Sequence, residues 1–147
     1  MIVPDLNLLI YAVHRESPRH EAAREWLERL LGGDEPVGLP WAVMLGFIRL
    51  TTNSRVFSSP LSVDVALGLA ESWQSRRVVR MIDPGDDHWR ILRTLLADSG
   101  SAGNLTSDAH IAALCVERGA TLHTADADFG RFAGLRWTNP LVSQSRD

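Results

Sequence analysis

The feature that most constrains this chain is an exchange of short apolar runs with longer helix-patterned segments, with aspartates placed where one gives way to the other. Asp5 follows Ile2, Val3 and Pro4, Asp108 opens an apolar-periodic helix, and Asp126 and Asp128 follow Thr121, Leu122, His123 and Thr124. Strands that alternate with helices pair in parallel and are covered on both faces, so the expected fold is α/β: a three-layer α/β/α sandwich around a central parallel sheet of four to five strands. In such a sheet, strand C-termini and helix N-termini gather along one edge, where ligand sites form. Carboxylates brought together there repel one another. A hard divalent cation with oxygen ligands, Mg²⁺ or else Mn²⁺, is the simplest way to hold them, which makes a metal site acting on phosphates the leading expectation.

The elements follow from periodicity and punctuation. Ile2 to Asp5 reads as a buried first strand. Ser17-Pro18 has the form of a helix start, with Ala22, Ala23, Trp26, Leu27, Leu30 and Leu31 at helical spacing until Gly32-Gly33 stops them. Val37 to Pro40 is a second strand, and Trp41 to Thr52 reads as a buried helix with Gly46 in its middle. Asn53 to Pro60 is a loop. Ser62 then caps a helix, Val78 to Ile82 is a third strand, and Asp86 caps the next helix. Ser99 to Asn104 is a small-residue loop. A helix from about Thr106 to Arg118 ends at Gly119. Thr121 to Ala125 is a fourth strand, and Leu135 to Thr138 a short fifth.

Composition narrows the classes. The longest nearly uninterrupted apolar stretch, Leu39 to Ile48, is far short of the roughly 20 residues of a membrane span. No basic region leads into an apolar signal core, so no membrane association or export is expected. Cys115 is the only cysteine, which excludes an internal disulfide and fits a reducing cytoplasm. Net charge is -3, yet all 15 basic residues are arginine, so lysine-dependent chemistry is excluded. Arginine's planar fork suits phosphate.

Five segments then resemble a known family. Pro4-Asp5-Leu6-Asn7, Leu105 to His110 and Thr124 to Phe129 resemble the PIN-domain nucleases. Phe47 to Phe57 and Leu135 to Leu141 look like the VapC-type toxins of bacterial toxin–antitoxin pairs. The resemblance runs from Ile2 to about Leu141, so residues 1–141 are expected to form a single PIN domain with 142–147 as a C-terminal tail. It implies an endoribonuclease dependent on Mg²⁺, or else Mn²⁺, that cleaves structured RNA, transfer or ribosomal, and arrests growth until a VapB-type antitoxin blocks its groove. It also implies a homodimer. Asp5, Asp108 and Asp126 match the family's metal-binding acids, and Asp128 an acidic position of more variable role. Many PIN nucleases carry a glutamate where Gly46 stands, and the nearest acids, Glu35 and Asp64, lie outside that helix. This departure puts a second metal position in question and suggests that room is needed there, for water or close packing.

Each candidate has a plainer reading. Asp5 could begin a turn, but a carboxylate after a buried strand is costly unless paired. Asp108 suits a helix's first turn for electrostatic reasons alone. Asp126 and Asp128 would share a face of an extended segment, with capping of the turn at Phe129-Gly130 as the other reading of Asp128. Asn7 is a candidate support for Asp5, and Thr124 a candidate contact to a carboxylate or phosphate. Asn7, Thr124 and Arg49 are therefore the expected substrate contacts, with Arg55 and Arg131 as further arginines for RNA. His110 and His123 lie nearest the acids, whereas His14, His20 and His88 read as solvent-facing. Trp26, Trp41, Trp73 and Trp89 read as core or interface residues. A haloacid-dehalogenase phosphatase would need an aspartate where Asn7 stands and a lysine. P-loop hydrolases and response regulators also need a lysine. The remaining alternative is a catalytically impaired PIN-like module that binds RNA or protein, supported only by Gly46.

Overall fold

The computed structural model describes residues 1–100 and 102–142. Its elements run β1 (Ile2–Pro4), α1 (Leu6–Val13), α2 (His20–Gly32), β2 (Val37–Pro40), α3 (Trp41–Thr51), α4 (Val63–Gln74), β3 (Val79–Ile82), α5 (His88–Ser99), α6 (Leu105–Arg118), β4 (Thr121–His123), a 3-10 turn (Ala127–Arg131) and β5 (Arg136–Thr138). The five strands form one sheet in the order β3-β2-β1-β4-β5, and every pairing is parallel. The expected α/β/α architecture is thus the observed one. Among the described residues no helix is long and apolar enough to cross a membrane. Of the expected tail, only Val142 lies within the described residues, and Ser101 of the small-residue loop lies outside them.

Strand order decides where the site falls. The chain builds outward from β1 through β2 to β3, then returns to the other side of β1 for β4 and β5. The order reverses between β1 and β4, whose register pairs Pro4 with His123. A crevice opens at such a reversal, beyond the strand C-termini. Asp5 and the Thr124–Asp126 segment leave the sheet there.

Helices cover a sheet whose central strands β1 and β2 are apolar, as parallel sheets require, while β4 buries only its middle residue. All of β2 is buried, and Val3 and Leu122 have no exposed surface. Helix α1 packs on α2 and α3, α3 on α4, and α5 on α6.

Several local expectations shift. Helix α2 starts at His20, because Ser17 Oγ accepts a hydrogen bond from Arg19 N in a preceding turn. Ser62 caps α4 through Val65 N as expected, whereas Asp87, not Asp86, stands at the start of α5 and makes no side-chain cap bond. Helix α3 is not buried all round, since Trp41 and Leu45 are 50% and 60% exposed. Trp26 and Trp73 lie in the core, while Trp89 is largely exposed. Strand β4 ends at His123 rather than Ala125, because Thr124 to Asp126 turn to cap the 3-10 segment.

Candidate active site

Asp5 is built into the end of β1. Its backbone N–H donates to the His123 carbonyl at 2.8 Å, extending the β1–β4 ladder by one rung. Its side chain then caps α1: Oδ1 accepts from Leu6 N at 2.7 Å, and Oδ2 accepts from Thr124 Oγ1 at 2.6 Å. A carboxylate at a helix start is favoured by the helix dipole, but this one is only 6% exposed. Burial pushes its pKa up to about 6; the bonds from Thr124 and Leu6 pull the other way, and the charges of Asp108 and Asp126 add to the rise.

Thr124 is the hub of this corner and has no exposed surface. Its hydroxyl donates to Asp5 and accepts from Asn7 Nδ2 at 3.3 Å and from Asp126 N at 3.0 Å. One donor and two acceptors are all a hydroxyl has. Of the two contacts expected of Thr124, a carboxylate or a phosphate, the structure shows the first, and in this arrangement the hydroxyl is fully used. Asn7 sits in α1 and reaches across 118 positions to accept from Ala125 N at 3.4 Å. It supports Asp5 through Thr124 rather than by direct contact.

Asp108 lies half-buried in the first turn of α6, where burial and then the charges of Asp126 and Asp128 raise its pKa. Asp126 is the cap of the 3-10 turn, its Oδ1 accepting from Asp128 N at 2.8 Å. The two acids therefore do not share a face of an extended segment, and the cap is Asp126 rather than Asp128. Asp128 is exposed, with Oδ1 3.9 Å from an Arg131 guanidinium nitrogen; Arg131 Nε also donates to the Asp128 carbonyl at 3.1 Å. The positive charge of Arg131 opposes the rise at Asp108. Arg49 is exposed on the last turn of α3. Arg131, not Arg49, is the arginine that acts on the carboxylates.

The donor set fits a hard cation. Burial raises Asp5 and Asp108 most, and neighbouring carboxylates add to both rises, so a positive charge among them would relieve that repulsion. Among the described residues no three carboxylate, imidazole or thiol side chains stand close enough to form a ready-made metal cage.

The histidines fall differently from expectation. His88 is buried, 7% exposed, with Nε2 2.9 Å from His110 Nδ1. No sequence signal marks it, because a histidine just past a helix start looks the same whether its ring turns inward or outward. His123 Nδ1 accepts from Trp26 Nε1 at 3.1 Å, and burial lowers its pKa. Both His110 and His123 thus have structural partners.

An all-parallel five-stranded sheet with Asp5, Asp108 and Asp126 in electrostatic reach of one another at its reversal point is the arrangement of a PIN-type protein. The chain belongs to the PIN-domain family, whose model matches residues 2–135. Its relatives include ribonuclease VapC43 of Mycobacterium tuberculosis, 41% identical over 145 residues and covering 99% of each chain. Ribonuclease VapC33 of the same organism is 39% identical over 141 residues, covering 96% of this chain and 99% of that one. Among solved structures, VapBC2 of Rickettsia felis bound to a promoter DNA fragment matches with a TM-score of 0.70 at 21% identity, over 95% of this chain and 98% of that chain. VapC20 of M. tuberculosis, described as a Sarcin-Ricin loop cleaving toxin, matches at 0.66 and 18% identity, over 92% and 99%. These last two likenesses concern the fold.

Proposed function

We propose that this protein is a Mg²⁺-dependent endoribonuclease toxin, cleaving structured RNA of the transfer or ribosomal class and restrained by a VapB-type antitoxin. The observation that carries the reading is the buried Asp5 carboxylate at the end of β1, within the fields of Asp108 and Asp126. The bonds from Leu6 and Thr124 offset only part of the desolvation cost, and a cation or substrate completing the site would supply the rest. The naming of its VapC relatives as ribonucleases supplies the substrate class.

Asp5, Asp108 and Asp126 would hold the ion, which supplies charge stabilisation to a phosphodiester and acidity to water. Asp5 is kept rigid by Leu6 and Thr124, and Asp126 by its bond to Asp128 N. Asp128, exposed and only loosely paired, is free to orient water at the rim. Arg131 offers a guanidinium to the RNA backbone beside these acids. On the far end of α1 from Asp5, Val13, Phe57, Leu61, Val65 and Leu69 line an open groove of about 900 Å³ that gives an amphipathic partner an apolar seat. Trp41 and Leu45, exposed one turn apart on α3, give a second copy of the chain a similar one.

The test is cleavage of purified transfer and ribosomal RNA with and without Mg²⁺, with mapping of the new RNA ends. Asp5→Asn and Asp108→Asn should each lose cleavage and growth arrest while keeping the wild-type circular dichroism spectrum. Full toxicity of either folded variant at normal Mg²⁺ would refute the mechanism. Binding of RNA without cleavage by the wild type would favour the impaired-module alternative.

A further inference from the structure

We propose that His88 is a positioning residue for the acidic site: through its hydrogen bond to His110 it holds α6 in place and so sets where Asp108 stands. This rests on the reading of Asp108 as part of a metal-dependent site. Asp108 has to be presented by a helix whose beginning is weakly fixed. The residue at the start of α6, Asn104, makes no side-chain cap bond, and the segment before it turns through Gly100 and Gly103, both at positive φ. Such a helix start depends on ties made further along.

The His88–His110 pair is such a tie. His110 follows Asp108 by two positions, about 200° around the helix, so its ring leaves the acidic side and meets α5 instead. The rings stand edge to face, with centroids 4.8 Å apart and planes at 76°, and a 2.9 Å contact joins His88 Nε2 to His110 Nδ1. A contact between two imidazoles needs one nitrogen to donate and the other to accept. The charge on the far side of His88 favours one direction. Its Nδ1 is buried without a hydrogen-bond partner, and Glu117 Oε2 lies 3.8 Å away. With its proton on Nδ1, His88 turns an N–H toward that carboxylate and leaves Nε2 to accept from His110. Glu117 is itself held by Gly85 N at 2.9 Å and Asp87 N at 3.1 Å, which fasten the entry to α5 onto α6. The chain of contacts thus runs from the α5 entry through Glu117 and His88 to His110 and the helix that carries Asp108.

Calorimetric titration of Mn²⁺ into the full-length, metal-free protein tests this. His88→Phe fills the space without an acceptor and should weaken Mn²⁺ binding about tenfold, the lower end of what supporting contacts to metal sites are worth. His88→Gln, which can accept from His110, should keep wild-type affinity. In an Asp108→Ala background, His88→Phe should change Mn²⁺ affinity no further, an outcome that a general loss of stability would not produce. His88→Leu serves as the non-bonding variant if the phenyl ring prevents folding. Unchanged Mn²⁺ affinity in a folded non-bonding variant would overturn the inference, as would equal weakening in His88→Gln. A wild type that binds no Mn²⁺ would instead remove the metal reading, and this inference with it.

Discussion

Asp5 meets two opposed demands. A phosphodiester site needs its charge, yet the residue is buried where charge is costly, and its pKa rises from 3.8 to about 6. The native state therefore binds this proton more tightly than the unfolded chain does. In metal-free protein, the stability this gives is fully present below pH 3.8 and is lost as pH rises through about 6. The gap corresponds to about 3 kcal/mol, and Asp108 acts in the same direction. Melting in EDTA should show stability falling between about pH 4 and 6, with a much shallower fall in Asp5→Asn, and Mg²⁺ should restore stability at pH 7 only in the wild type. Identical pH profiles for the two proteins would rule out Asp5 as the buried charge. Residues of this kind were legible in the sequence because an acid that ends an apolar strand is anomalous on its own. Thr124 was legible only as a neighbour of Asp126, since its saturated hydroxyl depends on residues 117 and 119 positions away. His88 was not legible at all.

Helix α3 shows where reading by element stops. Its apolar residues on most sides read as a buried helix, but periodicity cannot distinguish an apolar face turned to the core from one left open, and Trp41 and Leu45 are the open one. Gly46, by contrast, was rightly expected to mark a need for room. What fills the room is Leu6 rather than water: a Cβ on Gly46 would lie 2.8 Å from Leu6 Cδ2. Leu6 follows Asp5 directly, so the glycine lets α1 settle against α3 with Asp5 at its start. The obstacle is the end of a flexible side chain, which can turn aside. Gly46→Ala should therefore shift stability by less than about 1 kcal/mol, the helix-propensity gain offsetting the crowding. Gly46→Glu alone has to displace Leu6, whereas Gly46→Glu with Leu6→Ala vacates the space. Calorimetry should show tighter Mn²⁺ binding in the double variant than in Leu6→Ala. If a folded double variant binds Mn²⁺ no better, Gly46 does not occupy a lost ligand position.

At the scale of the whole molecule, the parallel sheet could be read from the alternation of strand and helix, whereas its order could not. Order depends on which side of β1 each later strand returns to, and β4 returns opposite β2. That return brings Asp126 beside Asp5. Helix α3, which follows β2, carries Trp41 and Leu45 on its exposed side, with Arg49 beyond them. Trp41 and Leu45 are four positions apart and so lie on one side of the helix. Large apolar side chains paired in this way are costly to leave in water and suit an interface. A second copy is the expected occupant, because a two-fold axis lets the same residues meet their own counterparts. Light scattering should then find a dimer for the wild type and a monomer for Leu45→Arg, since two arginines brought together across the axis would repel in a desolvated contact. The Leu45→Arg monomer should keep its melting temperature within a few degrees, as an exposed site away from the core allows. A wild-type monomer, or a dimer that survives Leu45→Arg unchanged, would show that α3 does not carry the interface.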